Sequence, residues 1–134
     1  KIALSYIESN CDKLKIDFDM LNNIDIHLHV PEGAVKKEGP SAGIAITTAL
    51  ISALKNKQIS SYLALTGEIT LRGNILPVGK IKEKIIGASN NNIKKVILPK
   101  ENEKDVEVLD EVIKKNIKFV YVSNYEEVLK EIKL

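Results

Sequence analysis

Helical stripes and extended runs alternate along this chain from end to end, and that alternation restricts it to an α/β (α+β) architecture. Ile2, Ala3, Tyr6, Ile7, Cys11 and Leu14 recur at helical spacing over residues 1–14. Ile24, Ile26, Leu28 and Val30 then alternate with Asp25, His27 and His29, the period of two of a strand with one buried face. Pro31-Glu32-Gly33 ends that run, and a polar loop spans Val35 to Gly39. Residues 42–55 are apolar nearly all round, as in a buried helix. Leu63 to Thr66 predicts a short buried strand, and Glu68 to Val78 a hairpin turning at Arg72-Gly73-Asn74. Beyond Gly79 a helix is predicted over 80–90, ended by Asn90-Asn91-Asn92. Lys95 to Leu98 reads as a buried strand stopped by Pro99. Val106, Leu109, Val112 and Ile113 mark an amphipathic helix, and Phe119 to Val122 a further strand. Tyr125, Val128, Leu129 and Ile132 mark a last helix, with Ser123 or Asn124 as N-cap. With no internal repeat, linker or shift in composition, the chain reads as one domain over 1–134.

Composition narrows the function. Hydrophobic residues make up 44% and charged residues 28%, the balance of a globular chain with a core. A net charge of +2 implies no general attraction to nucleic acid, and Arg72 is the only arginine available for bidentate contacts to bases or phosphates. Cys11 stands alone, which excludes a disulfide framework and a paired-cysteine zinc site. No apolar run approaches the roughly 20 residues that cross a membrane, and no signal peptide is evident. The chain opens inside a helical pattern, as a segment of a longer protein would.

The stretch Glu38-Gly39-Pro40-Ser41-Ala42-Gly43 sets one serine at a turn where a helix begins. Gly39 permits close backbone approach and Pro40 fixes the turn. The first amides of the helix then face whatever Ser41 attacks, at the positive end of the helix dipole. The competing local reading makes Ser41 an N-cap, although Ile44 stands where a capping box needs Glu or Gln.

A serine nucleophile needs a base. His27 and His29 share a strand face, but no acidic partner or third metal ligand is identifiable, so they read as solvent-facing residues that could line a cleft. Of Lys80, Lys82 and Lys84, the last lies about 60–70° from the apolar centre set by Ile81, Ile85 and Ala88, whereas the others lie roughly 90–110° away. Lys84 is therefore the lysine most readily drawn inside, where loss of water disfavours the ammonium form and lets an amine accept a proton. The alternative is that its stem snorkels to water. Thr66, at the end of a buried strand, either hydrogen-bonds such a lysine or fills a strand position. The glycines form neither a P-loop nor a dinucleotide fingerprint.

Taken together, these segments resemble the proteolytic domain of the ATP-dependent Lon protease of the bacterial and mitochondrial type. The resemblance rests on Asp25 to Ala34 with its Pro31-Glu32-Gly33-Ala34, on Gly39 to Ala45, on Thr66 to Gly73, on Leu76 to Gly79 and on Lys82-Glu83-Lys84, in that order over nearly the whole chain. It implies the Lon proteolytic fold, related to the second domain of ribosomal protein S5. It also implies a Ser-Lys dyad of Ser41 and Lys84, with Thr66 supporting the lysine. By the same resemblance His27, His29, Glu32 and Glu38 surround the cleft. The family often has Asp where this chain has Glu38, a departure at a position otherwise expected to regulate or position.

The resemblance further implies upstream β structure, an AAA+ ATPase holding ATP and magnesium, and a substrate-binding domain, none of them in this chain, which itself is expected to need no cofactor. Substrates would be unfolded, damaged or flexible regulatory proteins, cut after apolar residues inside a homohexameric ring. The setting would be the bacterial cytoplasm or an organelle matrix. Two other classes stay open. One is a non-proteolytic Lon-like module of a RadA-type DNA-repair ATPase, which would lack the paired Ser and Lys. The other is a small-molecule kinase of the GHMP type, whose phosphate loop follows a different Gly-Ser-Ser pattern.

Overall fold

The most deeply buried strand segment, Val96-Ile97-Leu98, lies at the centre of a three-stranded parallel sheet, as a strand covered on both faces must. The computed structural model describes residues 1–30 and 39–134. In it β4 (Lys95–Pro99) is flanked by β1 (Leu63–Leu65) and β5 (Lys118–Val122), in the order β1-β4-β5. Leu63 pairs with Lys95, and Lys95 with Lys118. Side chains alternate across the sheet. Ile97 enters a core with Tyr6, Ile7, Leu14, Ile44, Ile51 and Tyr125, while Val96 and Leu98 enter another with Ile81, Ile85, Ala88 and Val106. The α/β reading therefore holds, with helices on both faces of the sheet.

The helices of the first face are α1 (Ile2–Ser9), α2 (Cys11–Leu14), α3 (Phe18–Asn22), α4 (Gly43–Lys55) and α8 (Tyr125–Ile132). The predicted first helix breaks at Asn10, whose φ of −126° leaves helical geometry and whose side-chain amide turns back to the Tyr6 carbonyl. On the second face lie α5 (Ile81–Asn90), α6 (Glu103–Glu107) and α7 (Glu111–Lys114). Here too a single predicted helix is two. Asp110 is extended (φ −60°, ψ 140°) and breaks the stripe, leaving Val112 82% exposed while Val106 is buried. β2 (Glu68–Ile69) and β3 (Ile75–Leu76) form the predicted hairpin. Its turn is closed by the Thr70 amide to the Asn74 carbonyl and the Gly73 amide to the Thr70 carbonyl, both 2.9 Å. Gly73 has φ +84° and would press a Cβ against the Tyr6 ring at 2.8 Å, so both backbone and space require glycine there.

The strand predicted over Ile24 to Val30 does not form. Residues 25–30 have no regular structure, and Ile24, Ile26, Leu28 and Val30 are 39–51% exposed. An extended segment becomes a strand only when its amides and carbonyls find a ladder partner. Among the described residues no strand pairs with this one.

Candidate active site

Gly39–Ala42 forms one turn of 3-10 helix leading directly into α4. The N-cap position of α4 belongs to Ala42, not Ser41, and makes no side-chain cap bond, so the bland reading of Ser41 as the cap does not apply. The turn is fastened to the segment leaving β1. The Gly67 amide donates to the Ser41 carbonyl at 2.9 Å, the Ile44 amide donates to the Gly67 carbonyl at 3.1 Å, and the Thr66 hydroxyl donates to the same Ser41 carbonyl at 3.3 Å. β2 then crosses so close to the start of α4 that a Cβ on Gly43 would lie 2.9 Å from the Ile69 amide nitrogen. Glycine at 43 is thus needed for a close approach. Thr66 is itself placed by its amide, which donates to the Ile97 carbonyl at 3.0 Å and so extends the β1–β4 ladder.

Helix α5 supplies the lysine. Ile81, Ile85 and Ala88 are buried against the sheet and fix the rotation of the helix. Lys84 lies beside that stripe, and its Nζ exposes less than 1 Å² to solvent. Lys82 is exposed, and Lys80 precedes the helix in the left-handed region (φ 57°) rather than lying on it, also exposed. The choice among three lysines made from the helical wheel is the arrangement the structure has.

The entry to α5 is held by a residue the sequence did not single out. Asn102 is 3% exposed, accepts the Val78 amide and donates to the Val78 carbonyl, each at 2.9 Å, and donates to Asp105 at 2.8 Å. Its partner at the entry to α5 is the Val78 main chain, and no sequence pattern records a backbone partner.

Ser41, Thr66 and Lys84 line one cavity of about 400 Å³, whose remaining wall is largely apolar, with Ala45, Leu65, Ile81 and Ile85 among its residues. A serine, a threonine and a lysine whose amine is kept from bulk water thus share the wall of one space, and its volume falls within the roughly 300–1,000 Å³ typical of ligand sites. A second cavity of about 480 Å³ lies against Gly39, Pro40, Gly43 and Leu28. His27 and His29 are exposed and belong to neither wall as described. Glu32 and Glu38 lie outside the described residues. No group of three or more His, Cys, Asp or Glu placed to hold a metal ion occurs among the described residues. None of their helices is long and apolar enough to cross a membrane.

The three-stranded parallel sheet thus carries a serine turn, a threonine and a shielded lysine on the wall of one cavity. Comparison with known proteins identifies the family: residues 1–134 match the Lon protease (S16) C-terminal proteolytic domain, and the chain belongs to that family. It is 52% identical over 130 residues to the Lon protease of Porphyromonas gingivalis, covering 97% of this chain and 15% of that protein. It is likewise 52% identical over 132 residues to the Lon protease of Metamycoplasma arthritidis (98% and 16%) and 53% identical over 127 residues to that of Bacillus thuringiensis (95% and 16%). The chain therefore spans about a sixth of the length of the relatives it matches.

Proposed function

We propose that this chain is the proteolytic part of an ATP-dependent serine endopeptidase, with Ser41 as nucleophile and Lys84 as general base. The observation that carries the reading is the shared cavity: Ser41 and Lys84 both line it, and the Lys84 amine is shielded from solvent.

In the first step the neutral Lys84 amine takes the Ser41 proton as Oγ bonds to a peptide carbonyl carbon. The resulting oxyanion is held by backbone amides. The Ile44 amide is already committed to the Gly67 carbonyl, so these donors come from the turn ahead of it. As the tetrahedral adduct collapses, the C–N bond breaks and the Lys84 ammonium returns its proton to the leaving amine. A water then attacks the Ser41 ester, again giving its proton to Lys84; as the C–O bond to Ser41 breaks and the acid product leaves, the Lys84 ammonium returns that proton to Ser41 Oγ, restoring the hydroxyl and the neutral amine. Thr66 steadies the Ser41 carbonyl in this scheme, in addition to the supporting role toward Lys84 that the family resemblance implies.

The rest of the reading concerns the whole protein. ATP and magnesium act in a separate ATPase module that unfolds the substrate, and the chemistry here needs no cofactor. Substrates are misfolded, damaged and short-lived regulatory proteins, the assembly is a homohexamer, and the setting is the cytoplasm or an organelle matrix. Supporting roles for His27, His29, Glu32 and Glu38 rest on the family resemblance alone. The reading as a non-proteolytic module of a DNA-repair ATPase is not favoured, because both Ser41 and Lys84 are present and share a cavity. The test is peptide hydrolysis by the ATPase-bearing protein. Ser41→Ala and Lys84→Ala are each expected to lower kcat at least ~100-fold, the lower range for loss of an acid-base group; full activity in either variant would sink the dyad.

A further inference from the structure

Helix α5 carries Lys84 one turn from its start, and that start is held from outside the helix. The Lys84 amide donates to the Lys80 carbonyl at 3.1 Å, so the lysine moves with the helix entry. Lys80, at the N-cap position, is left-handed (φ 57°, ψ 41°) and makes no side-chain cap bond. The buried stripe of Ile81, Ile85 and Ala88 fixes the rotation of α5. Apolar burial is non-directional, however, and sets the position of a helix along its own axis only loosely. Directional bonds come from Asn102, in the short turn that follows β4. Its Oδ1 accepts from the Val78 amide and its Nδ2 donates to the Val78 carbonyl, each at 2.9 Å, two residues ahead of Lys80. The same Nδ2 donates to the Asp105 carboxylate at 2.8 Å. An ionised carboxylate can only accept, which settles the orientation of the Asn102 amide. Asn102 is buried and does not line the cavity of Ser41 and Lys84. One planar amide thus grips both polar groups of a single main-chain residue, within the narrow range of hydrogen-bond geometry.

We propose that Asn102 is a positioning residue for the Ser-Lys reaction: its grip on Val78 sets where α5 begins along the sheet, and so holds the Lys84 amine in reach of Ser41. The inference rests on the reading of Lys84 as general base. A shift of a reacting group by about 1 Å can cost on the order of 100-fold in rate, so a small slide of α5 is enough to matter.

The experiment uses the full-length protein with Asn102→Asp, which is close to the native residue in size. It keeps an acceptor for the Val78 amide but sets an acceptor against the Val78 carbonyl and a second carboxylate beside Asp105. The exchange variant Asn102→Asp with Asp105→Asn restores the charge and a bond between the two side chains, leaving only the Val78 carbonyl without its donor. The readouts are acylation of Ser41 by a small phosphonate probe, corrected for folded fraction by urea denaturation, and kcat and KM for a peptide. Each variant is expected to lower labelling and kcat about tenfold or more, with KM within about threefold, as for an interaction that acts on the transition state. In the Lys84→Ala background the same substitutions are expected to change labelling less than about twofold, because a residue acting through Lys84 has nothing left to act on. An equal loss in both backgrounds would make Asn102 purely structural and overturn the proposal. So would unchanged labelling in the exchange variant, or failure of both variants to fold. Failure of the underlying reading shows separately, as labelling at the unsubstituted rate in Lys84→Ala alone.

Discussion

Gly43 and Tyr125 show how single residues fix α4, the one at its first residue and the other near its middle. A methyl on Gly43 would strike the backbone amide of Ile69, which cannot swing aside as a side-chain tip can. Gly43→Ala is expected to cost about 1–3 kcal/mol and to reduce peptide hydrolysis by more than the lost folded fraction, measured by urea denaturation alongside activity. Farther along α4, Thr48 donates to the Ile44 carbonyl at 2.7 Å, so the 2.7 Å contact with Tyr125 has the tyrosine hydroxyl as donor. Tyr125 is fully buried and stacks edge-on with Tyr6 at 5.3 Å. Burial pushes its hydroxyl well above the usual tyrosine range. The unfolded chain therefore ionises first, binds fewer protons than the folded one above about pH 10, and stability falls with rising pH there. Tyr125→Phe is expected to cost about 1 kcal/mol at neutral pH and to remove that part of the alkaline loss, as read from denaturation curves on either side of pH ~10.

At the scale of elements, α8 is tied to the sheet by Glu131, which accepts from Lys95 on β4 at 2.7 Å, with Lys118 on β5 at 3.9 Å. The Lys95 hydrogen bond holds the Glu131 carboxyl below its ordinary value, against the opposing effect of partial burial. A depressed carboxylate contributes stability above the ordinary range and loses it as pH falls through the folded value, below about pH 4. Glu131→Gln is expected to flatten that part of the acid limb, by no more than about 1 kcal/mol for a partly exposed pair, with the difference shrinking in high salt. Elements with their own period were legible in the sequence. α4, α5, α8, β4 and β5 all form near their expected bounds because each buries a continuous face, and Asn124 caps α8 by accepting the Glu127 amide at 3.1 Å. The alternation of Ile24 to Val30 misled because a period of two states which face would be buried, not whether a ladder partner exists. The stripe from Val106 to Ile113 misled because a helical period survives a short break at Asp110. At the site, Lys84 was legible from its angle to Ile81 and Ile85. The clamp of Asn102 on Val78 and the anchoring of Ser41 by Gly67 were not, since both act through main-chain atoms.

For the whole molecule, the two cores on opposite faces of one sheet make the site a junction. Ser41 reaches it from the α4 side and Lys84 from the α5 side, with Thr66, the residue that follows β1, on the same wall. Neither Ser41 nor Lys84 lies on the other's element, so their shared cavity exists only when both faces of the sheet are packed. On the function proposed above, bond cleavage is assigned to this junction. The most direct test of that assignment is the rate at which a phosphonate probe acylates Ser41 in the full-length protein, with the adduct located by mass spectrometry. The adduct should fall on Ser41 and form at least ~100-fold more slowly in Lys84→Ala, the loss set by removal of a general base. Labelling at the unsubstituted rate without Lys84, or an adduct on another residue, would contradict it.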